Sequence, residues 1–165
     1  MDNKKLTFSA LLIALGTMTG HLIYIPVGVA KAFPVQHLIN ILSAVLLGPA
    51  YAVWNAFAIS LLRNMLGTGS LLAFPGSMIG ALIASLLYRK FKSKSWALAG
   101  ELIGTGLLGA AAAYPIAHFL MGSSAAVFFF VIPFAFSSAA GAVIAALFLK
   151  VAEKAEVINF IDQLN

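Results

Sequence analysis

Long apolar runs, broken only by short clusters of charged residues, constrain this chain more than any other feature of its sequence. Hydrophobic residues make up 62% of the 165 residues and charged residues only 9%, whereas soluble domains are roughly half apolar and about a quarter charged. A soluble domain cannot hide that much apolar surface. We therefore expect lipid to surround most of the chain, which favours binding or transport in a membrane as its function.

The apolar runs predict an all-α membrane protein with six transmembrane helices, forming a single integral membrane domain over residues 1–165. A spanning helix needs about 20 apolar residues. Gly48-Pro49 separates the second run from the third, since glycine is permissive and proline restricts the residue before it. The predicted helices cover residues 6–24, 34–47, 50–66, 74–88, 95–117 and 125–151.

The distribution of charge predicts the orientation of these helices, because lysine and arginine near helix ends stay cytoplasmic. With both termini inside, the outer loops are residues 25–33, 67–73 and 118–124. The net charge of +5 needs no nucleic-acid partner, since contact with anionic lipid explains it. Eight of the ten Lys and Arg residues then lie on the cytoplasmic side: Lys4, Lys5, Arg89, Lys90, Lys92, Lys94, Lys150 and Lys154.

Arg63 and Asn64 lie near the outer end of the third predicted helix, where polar side chains are costly and need partners. Arg63 either reaches the lipid headgroups, as long cations commonly do, or points into an outward cavity. The adjacent segment 67–70, Gly-Thr-Gly-Ser, offers free backbone N–H groups beside a fixed positive charge, which favours the cavity slightly.

Further polar side chains open the second helix and close the fifth. Gln36, His37 and Asn40 can donate and accept hydrogen bonds to a heterocycle, or they can hold neighbouring helices together. Tyr114 and His118 are four residues apart and share one helix face, with anchoring at the membrane interface as the alternative role of Tyr114.

Glu101 lies one to two turns inside the fifth predicted helix, and we expect it to pair with Lys94 or with a neighbouring helix in a structural or partner-facing role. The three histidines and five acidic residues are scattered and form none of the common catalytic, metal-binding or phosphate-binding motifs. The sequence therefore predicts no enzyme, no catalytic residue, no cofactor and no metal site.

Several stretches of the chain resemble the ThiW family, one of the families of substrate-binding S components of energy-coupling factor (ECF) vitamin transporters. The resemblance covers nearly the whole chain. The general S-component features are Ala10-x-x-x-Ala14, Leu47-Gly48-Pro49 and the chain length. The more specific stretches are Gly16-Thr17-Met18-Thr19-Gly20-His21, Arg63-Asn64-x-Leu66-Gly67-Thr68-Gly69-Ser70 and Ala73-Phe74-Pro75-Gly76-Ser77-Met78-Ile79-Gly80-Ala81.

The resemblance implies a multi-pass protein of the prokaryotic cytoplasmic membrane that captures a ligand in an outward-facing pocket and lacks ATPase activity. It implies two kinds of partner: a membrane T component, which meets the face of Ala10 and Ala14, and two cytosolic ATPases. The implied ligand is the thiamin precursor 4-methyl-5-(2-hydroxyethyl)thiazole, abbreviated below as the thiazole alcohol.

A pocket for such a small, flat and neutral ligand needs apolar walls and a few fixed polar groups. A phosphorylated or carboxylated ligand would make better use of Arg63 than a neutral one. The candidate substrate-binding residues are Phe33, Gln36, His37, Asn40, Arg63, Asn64, Phe74, Ser77, Tyr114 and His118, with Phe128 as a further wall residue.

Three alternatives stay open at this point. The chain could be an S component for another small vitamin or heterocycle. It could be a self-sufficient secondary carrier or channel, which would not depend on separate ATPase and T subunits. It could also be a structural or assembly protein of the membrane, although the polar residues at several outer helix ends disfavour a protein without a ligand.

Overall fold

Six helices and a short β-hairpin make up the part of the chain that the computed structural model describes, which comprises residues 3–27, 30–124, 126 and 128–155. The predicted number of helices is therefore observed. The helices are α1 (Asn3–Thr19), α2 (Pro34–Leu46), α3 (Pro49–Met65), α4 (Ala73–Phe91), α5 (Lys94–Leu120) and α6 (Val131–Lys154), and the strands are β1 (Ile25–Val27) and β2 (Ala30–Ala32).

The boundaries differ from the predicted ones mainly at α1 and α6. The first helix ends at Thr19 rather than at residue 24. The N–H of Gly20 still makes a helical bond to the carbonyl of Gly16, but the N–H of Leu22 bonds only three residues back, to Thr19, in a turn. The sixth helix begins at Val131. Its predicted start at residue 125 lies outside the described residues.

The hairpin is an addition to the predicted all-α architecture. It lies within residues 25–33, which the sequence predicts as an outer loop, and pairs Ile25 with Ala32 and Val27 with Ala30 in antiparallel register. Backbone N–H and C=O groups need hydrogen-bond partners, and pairing across the hairpin supplies them where no helix continues. The hairpin carries Lys31 to the end of the bundle at which α2, α4 and α6 begin.

Two of the described helices, α5 and α6, are long and apolar enough to cross a membrane, with mean hydropathies of 1.3 and 2.0. The outer surface of the bundle also exposes many large apolar side chains, among them Trp54, Met65 and Phe148. Soluble monomers rarely expose large continuous apolar patches. This surface is suited to contact with lipid.

The short helix α2 lies at the centre of the bundle and packs against α3, α4 and α6. Ten of its 13 residues are buried. Because protein surrounds it on several sides, its polar residues contact other helices rather than solvent. The polar side chains of α2 therefore connect several helices at the site described below.

Helices α4 and α5 approach each other through small residues. A Cβ atom added to Gly104 would lie 2.7 Å from the Cα of Gly80, and one added to Gly100 would lie 2.7 Å from the Cα of Ala84. Small residues on both faces allow such close backbone contact. Close contact between these helices in turn places the polar groups of α5 beside α2 and α4.

Helix α5 contains two wide π-helical segments, Gly104–Gly109 and Ile116–Leu120. Such turns are uncommon and are frequently found at functional sites. The first segment carries Thr105, which is buried against α4.

Helix α1 packs on the bundle through one face. Ser9 donates a hydrogen bond to Asn55 of α3, and Gly16 lies against the side chain of Ile59. The opposite face leaves Ala10 and Ala14 exposed. The exposed side of α1 thus carries two methyl side chains on adjacent turns, Ala10 and Ala14, with the larger exposed residues Leu11 and Leu15 beside them.

Most cations lie at one end of the bundle. That end holds the start of α1, the junction of α4 and α5, and the end of α6. Lys94 at the start of α5 forms an ion pair with Glu153 near the end of α6. Lys94 therefore pairs with Glu153 rather than with Glu101, and Glu101 finds its partners on a neighbouring helix and within α5.

Candidate functional site

A cavity of about 290 Å³ lies at the end of the bundle opposite the clustered cations. It is formed by β2, the beginnings of α2, α4 and α6, the end of α3, the loop after α3, and the first π-helical turn of α5. Its lining residues are Lys31, Phe33, Gln36, His37, Arg63, Thr68, Gly69, Ser70, Leu72, Ala73, Gly76, Ser77, Thr105, Phe129, Phe130, Pro133, Phe134 and Ser137.

Arg63 lies in the wall of this cavity and is only 3% exposed. Its Nη1 donates a hydrogen bond to Gln36 Oε1 at 2.7 Å, and its Nη2 donates to the carbonyl oxygen of Thr68 at 3.0 Å. The guanidinium carbon lies 4.8 Å from the centre of the Phe33 ring, within the range of a cation–π contact. Of the two placements considered for Arg63, the structure shows the one inside the cavity.

The loop that follows α3 is built around the backbone of Arg63. The N–H of Thr68 donates to the carbonyl oxygen of Arg63 at 2.8 Å. Asn64 Nδ2 donates to the carbonyl oxygens of Ser60 at 2.8 Å and Ser70 at 3.1 Å. The hydrogen bonds of Asn64 thus connect the loop to α3, and the loop in turn fixes the position of Arg63.

A chain of hydrogen bonds connects the arginine to α4. Gln36 Nε2 donates to Ser60 Oγ at 2.8 Å, and the hydroxyls of Ser60 and Ser77 lie 3.0 Å apart. Ser77 Oγ donates to the carbonyl oxygen of Ala73 at 2.8 Å. These buried contacts join α2, α3 and α4 around one side of the cavity, where satisfied polar networks give rigidity.

Glu101 lies behind the base of the cavity and is fully buried, at 0% exposure. Its Oε1 is within hydrogen-bond distance of His37 Nδ1 at 2.8 Å, Asn40 Nδ2 at 3.0 Å and Thr105 Oγ1 at 2.9 Å. A buried carboxyl group requires such partners, because it has lost its hydration. Asn40 Nδ2 also donates to the carbonyl oxygen of Ser77 at 3.1 Å, which connects this cluster to α4.

An aromatic wall faces these polar groups. Phe129, Phe130 and Phe134 line the cavity from the beginning of α6, and the rings of Phe130 and Phe134 lie 6.4 Å apart. Ser137 Oγ accepts a hydrogen bond of 2.9 Å from the backbone N–H of Phe33, which holds the start of α2 against α6. The cavity therefore has one polar side and one aromatic side.

Seven of the ten predicted site residues line the cavity or support it in the structure. Phe33, Gln36, His37, Arg63 and Ser77 line the cavity. Asn40 and Asn64 support it from behind, as described above.

The remaining predicted residues, Phe74, Tyr114 and His118, are not among those that line the cavity. Phe74 packs against Phe57 at 5.8 Å. Tyr114 and His118 share one face of α5, as their spacing predicts, and their rings stack at 5.7 Å. The buried residues of α5 at this height are Ala110, Ala113 and Ala117. Tyr114 is half-buried beside them, and His118 is exposed. Phe128 is also directed outward, at 78% exposure.

Thr105 and the aromatic residues Phe129, Phe130 and Phe134 line the cavity but were not predicted from the sequence. The α6 residues carry a signal that could have been used, since Phe130, Phe134 and Ser137 follow the spacing of one helix face. Thr105 has no comparable signal, because its position depends on the close approach of α5 to α4. Glu101 was expected to be structural, and its contact with the cavity residue His37 depends on where α2 lies.

The fold defines the class of this protein as a helical protein whose apolar surface suits lipid, with a cavity of a size that a small molecule could fill. The family of thiamine-precursor transporter proteins, ThiW, matches the chain over residues 6–155, and the chain belongs to this family. It is therefore a membrane-associated transporter of a thiamine precursor, and the family is one of transporters rather than enzymes. No curated protein and no solved structure matches the chain.

Proposed function

We propose that this protein is the substrate-binding S component of an ECF-type importer and that it captures the thiazole alcohol for ATP-driven uptake. The observation that carries the proposal is the cavity, whose polar side and aromatic side suit a small heteroaromatic alcohol. The match to thiamine-precursor transporters supports the same ligand class.

In this proposal the flat thiazole ring packs against the aromatic wall formed by Phe130 and Phe134. His37 Nδ1 is engaged by Glu101, so Nε2 is the ring nitrogen of His37 that remains for the ligand. The ligand's ring nitrogen and hydroxyl then need one or two further polar contacts, for which Gln36 lies in the same wall.

The arrangement of charge supports an outward-facing cavity in the proposed topology of six spans with both termini inside. Cations gather at the end opposite the cavity, and lysine and arginine near helix ends are retained in the cytoplasm. The cavity would then face the side from which a nutrient arrives.

The exposed face of α1 supports docking to a membrane T component. Ala10 and Ala14 are exposed, whereas Ser9, Leu12 and Gly16 of the same helix are buried against the bundle. A face of methyl groups lets a partner helix approach closely in the membrane. In the proposed assembly this contact joins the protein to the T component, and two cytosolic ATPases supply the energy.

The experiment that tests this proposal begins with the protein purified in mild detergent and with the ligand that it retains, identified by mass spectrometry. We expect the thiazole alcohol to be recovered and to bind again to protein from which it has been removed. Uptake into cells should then require the T component and the ATPases. Recovery of an unrelated ligand, or uptake without those subunits, would contradict the proposal.

A second candidate function, a proton-coupled secondary carrier, is favoured by the buried carboxyl group of Glu101 beside His37. Intramembrane acidic residues commonly form part of ion pathways in such carriers. The two functions differ in one measurement. A carrier should accumulate substrate in proteoliposomes that contain this chain alone and a proton gradient, whereas an S component alone should not.

A further inference from the structure

We propose that the cavity contains an anion subsite centred on Arg63, and that the protein binds the phosphate monoester of the thiazole alcohol more tightly than the alcohol itself. The inference rests on the proposed function, because it concerns a ligand of the same site. It goes beyond that function because the neutral alcohol has no group that requires a buried cation.

The first argument is the unused hydrogen-bonding capacity of Arg63. A guanidinium group has five N–H donors, and the described residues accept from Nη1 and Nη2 while Nε has no partner. Both acceptors, Gln36 Oε1 and the carbonyl oxygen of Thr68, are neutral. Within the described part of the chain, no carboxylate forms an ion pair with Arg63.

The second argument is that this cation is 3% exposed and lies in the cavity wall. A buried charge without a counter-charge is costly, and proteins usually supply a paired ion or a ligand. Glu101 is the nearby acidic residue, but it lies behind the cavity lining and is bonded to His37, Asn40 and Thr105. The counter-charge for Arg63 is therefore expected from the ligand.

The third argument is the electrostatic surroundings of Arg63. Lys31 also lines the cavity and lies 4.6 Å from the centre of the Tyr24 ring. The first turn of the 19-residue helix α4 lines the cavity through Ala73 and Gly76, so the positive end of the helix dipole is directed at the same space. Among the described residues that line the cavity there is no Asp or Glu.

A phosphate group on the ligand fits these features for two reasons. Its oxygens match the planar fork of a guanidinium and accept two parallel hydrogen bonds. It also replaces the hydroxyl hydrogen of the alcohol, so the thiazole ring can keep the same aromatic wall while the added charge reaches Arg63. A thiazole carboxylate shares the negative charge but lacks the tetrahedral set of oxygens.

The test is calorimetric titration of the purified full-length chain with the thiazole alcohol, its phosphate monoester, a thiazole carboxylate and inorganic phosphate. The variants are Arg63→Gln, Arg63→Lys and Lys31→Gln, with Lys92→Gln at the opposite end as the matched charge control. Thermal unfolding in the same detergent reports whether each variant is folded.

We expect the wild type to bind the ester at least about tenfold more tightly than the alcohol, which corresponds to about 1.4 kcal/mol. Arg63→Gln should abolish this preference, so that the folded variant binds the ester and the alcohol with equal affinity. Arg63→Lys keeps the charge but loses the fork, and should retain part of the preference. Lys31→Gln should reduce it slightly, and Lys92→Gln should leave it unchanged.

Equal affinity of the wild type for ester and alcohol would overturn the inference without any variant, and would leave the proposed function standing. A preference that survives in folded Arg63→Gln protein would also overturn it. Inorganic phosphate or the carboxylate binding as tightly as the ester would overturn the assignment of a ring-linked phosphate. Failure of both alcohol and ester to bind would instead contradict the proposed function.

Discussion

Glu101 and Arg63 are both buried beside the cavity, but their side chains differ in their hydrogen-bond partners. Three side chains surround one oxygen of Glu101, whereas Arg63 contacts only neutral acceptors and the ring of Phe33. The carboxyl group therefore organises the base of the cavity. The guanidinium group has an unpartnered Nε and, among the described residues, no carboxylate partner.

Replacing Glu101 by alanine should destabilise the protein strongly. The change leaves His37 Nδ1 without its partner, and such a stranded buried group costs about 1–3 kcal/mol, whereas Asn40 and Thr105 each lose one bond but keep the carbonyl oxygens of Ser77 and Gly76. It also leaves a void in the packed contact between α4 and α5. The matched control is Glu153→Ala, which removes an exposed carboxylate whose pair with Lys94 is worth about 0–1 kcal/mol. Thermal unfolding in detergent measures both. Similar unfolding temperatures for the two variants would show that the Glu101 cluster is not structural.

The two predicted histidines should differ in their effect on ligand binding. His37 lines the cavity, whereas His118 lies on the outer side of α5. His37→Ala should weaken binding of the thiazole alcohol by roughly tenfold, since a lost hydrogen bond costs about 0.5–1.5 kcal/mol and more if a partner is stranded. His118→Ala is the control and should leave the affinity unchanged. A large loss of affinity in the His118 variant would place the ligand elsewhere.

At the scale of elements, the cavity depends on how closely α5 approaches α4. Gly80 allows this approach, because a Cβ atom at this position would lie 2.1 Å from Thr105 Oγ1 and 2.8 Å from Glu101 Oε2. Helix α2 completes the arrangement by bringing His37 and Asn40 to the same carboxyl group. A change of one methyl group between two helices can therefore disturb the site by displacing Thr105, which lines the cavity.

Gly80→Ala should both destabilise the protein and weaken ligand binding. Overpacking a tight interface costs about 1–3 kcal/mol, and here the displaced groups are Thr105 and Glu101. Ala111→Leu is the control, since it adds a larger group to the exposed face of α5. Unfolding temperature and calorimetric affinity are the two readouts. A Gly80→Ala variant with normal stability and affinity would mean that the two helices can separate at no cost.

At the scale of the whole molecule, the bundle has two ends and one free helix face with different proposed roles. The cavity is at one end, most cations are at the other, and Ala10 and Ala14 lie exposed on α1. Ligand capture and assembly with partners are therefore expected to be separable by mutation.

Ala14→Trp should block assembly with the T component and ATP-driven uptake, because the indole ring occupies the space of a partner helix. Ligand binding by the isolated protein should be retained, since Ala14 is not among the cavity residues. Leu15→Trp is the control, because Leu15 is exposed on a neighbouring part of the same helix. Pull-down of the T component and uptake are measured. Normal assembly of the Ala14 variant would remove this face as the docking site.

The orientation of the bundle can be measured with single cysteines, because the chain contains none. Lys92→Cys, at the junction of α4 and α5, should resist an impermeant thiol reagent added to intact cells. Leu71→Cys, which is exposed in the loop after α3, should react. Permeabilised cells provide the control for access to both positions. The reverse pattern of labelling would invert the proposed topology.

The number of helices and their apolar character follow from the sequence alone, because hydropathy over about 20 residues is a local property. The family could also be recognised from local stretches, and this prediction is confirmed by the match over residues 6–155. Position within the predicted helices also allowed five cavity residues to be proposed for one end of the bundle: Phe33, Gln36, His37, Arg63 and Ser77. The short hairpin was not predicted, since its hydrogen bonds form between two very short segments.

Only the tertiary structure decided which of these outer-end residues meet. Tyr114 and His118 lie at the predicted end of α5 but do not line the cavity, whereas Thr105 lines it and contacts Glu101 behind it. The rotation of a helix about its axis is set by packing with its neighbours, here by small residues such as Gly80 and Gly104. Hydropathy determines that a segment is a helix in an apolar medium. Contacts between distant segments determine which face of that helix the site receives.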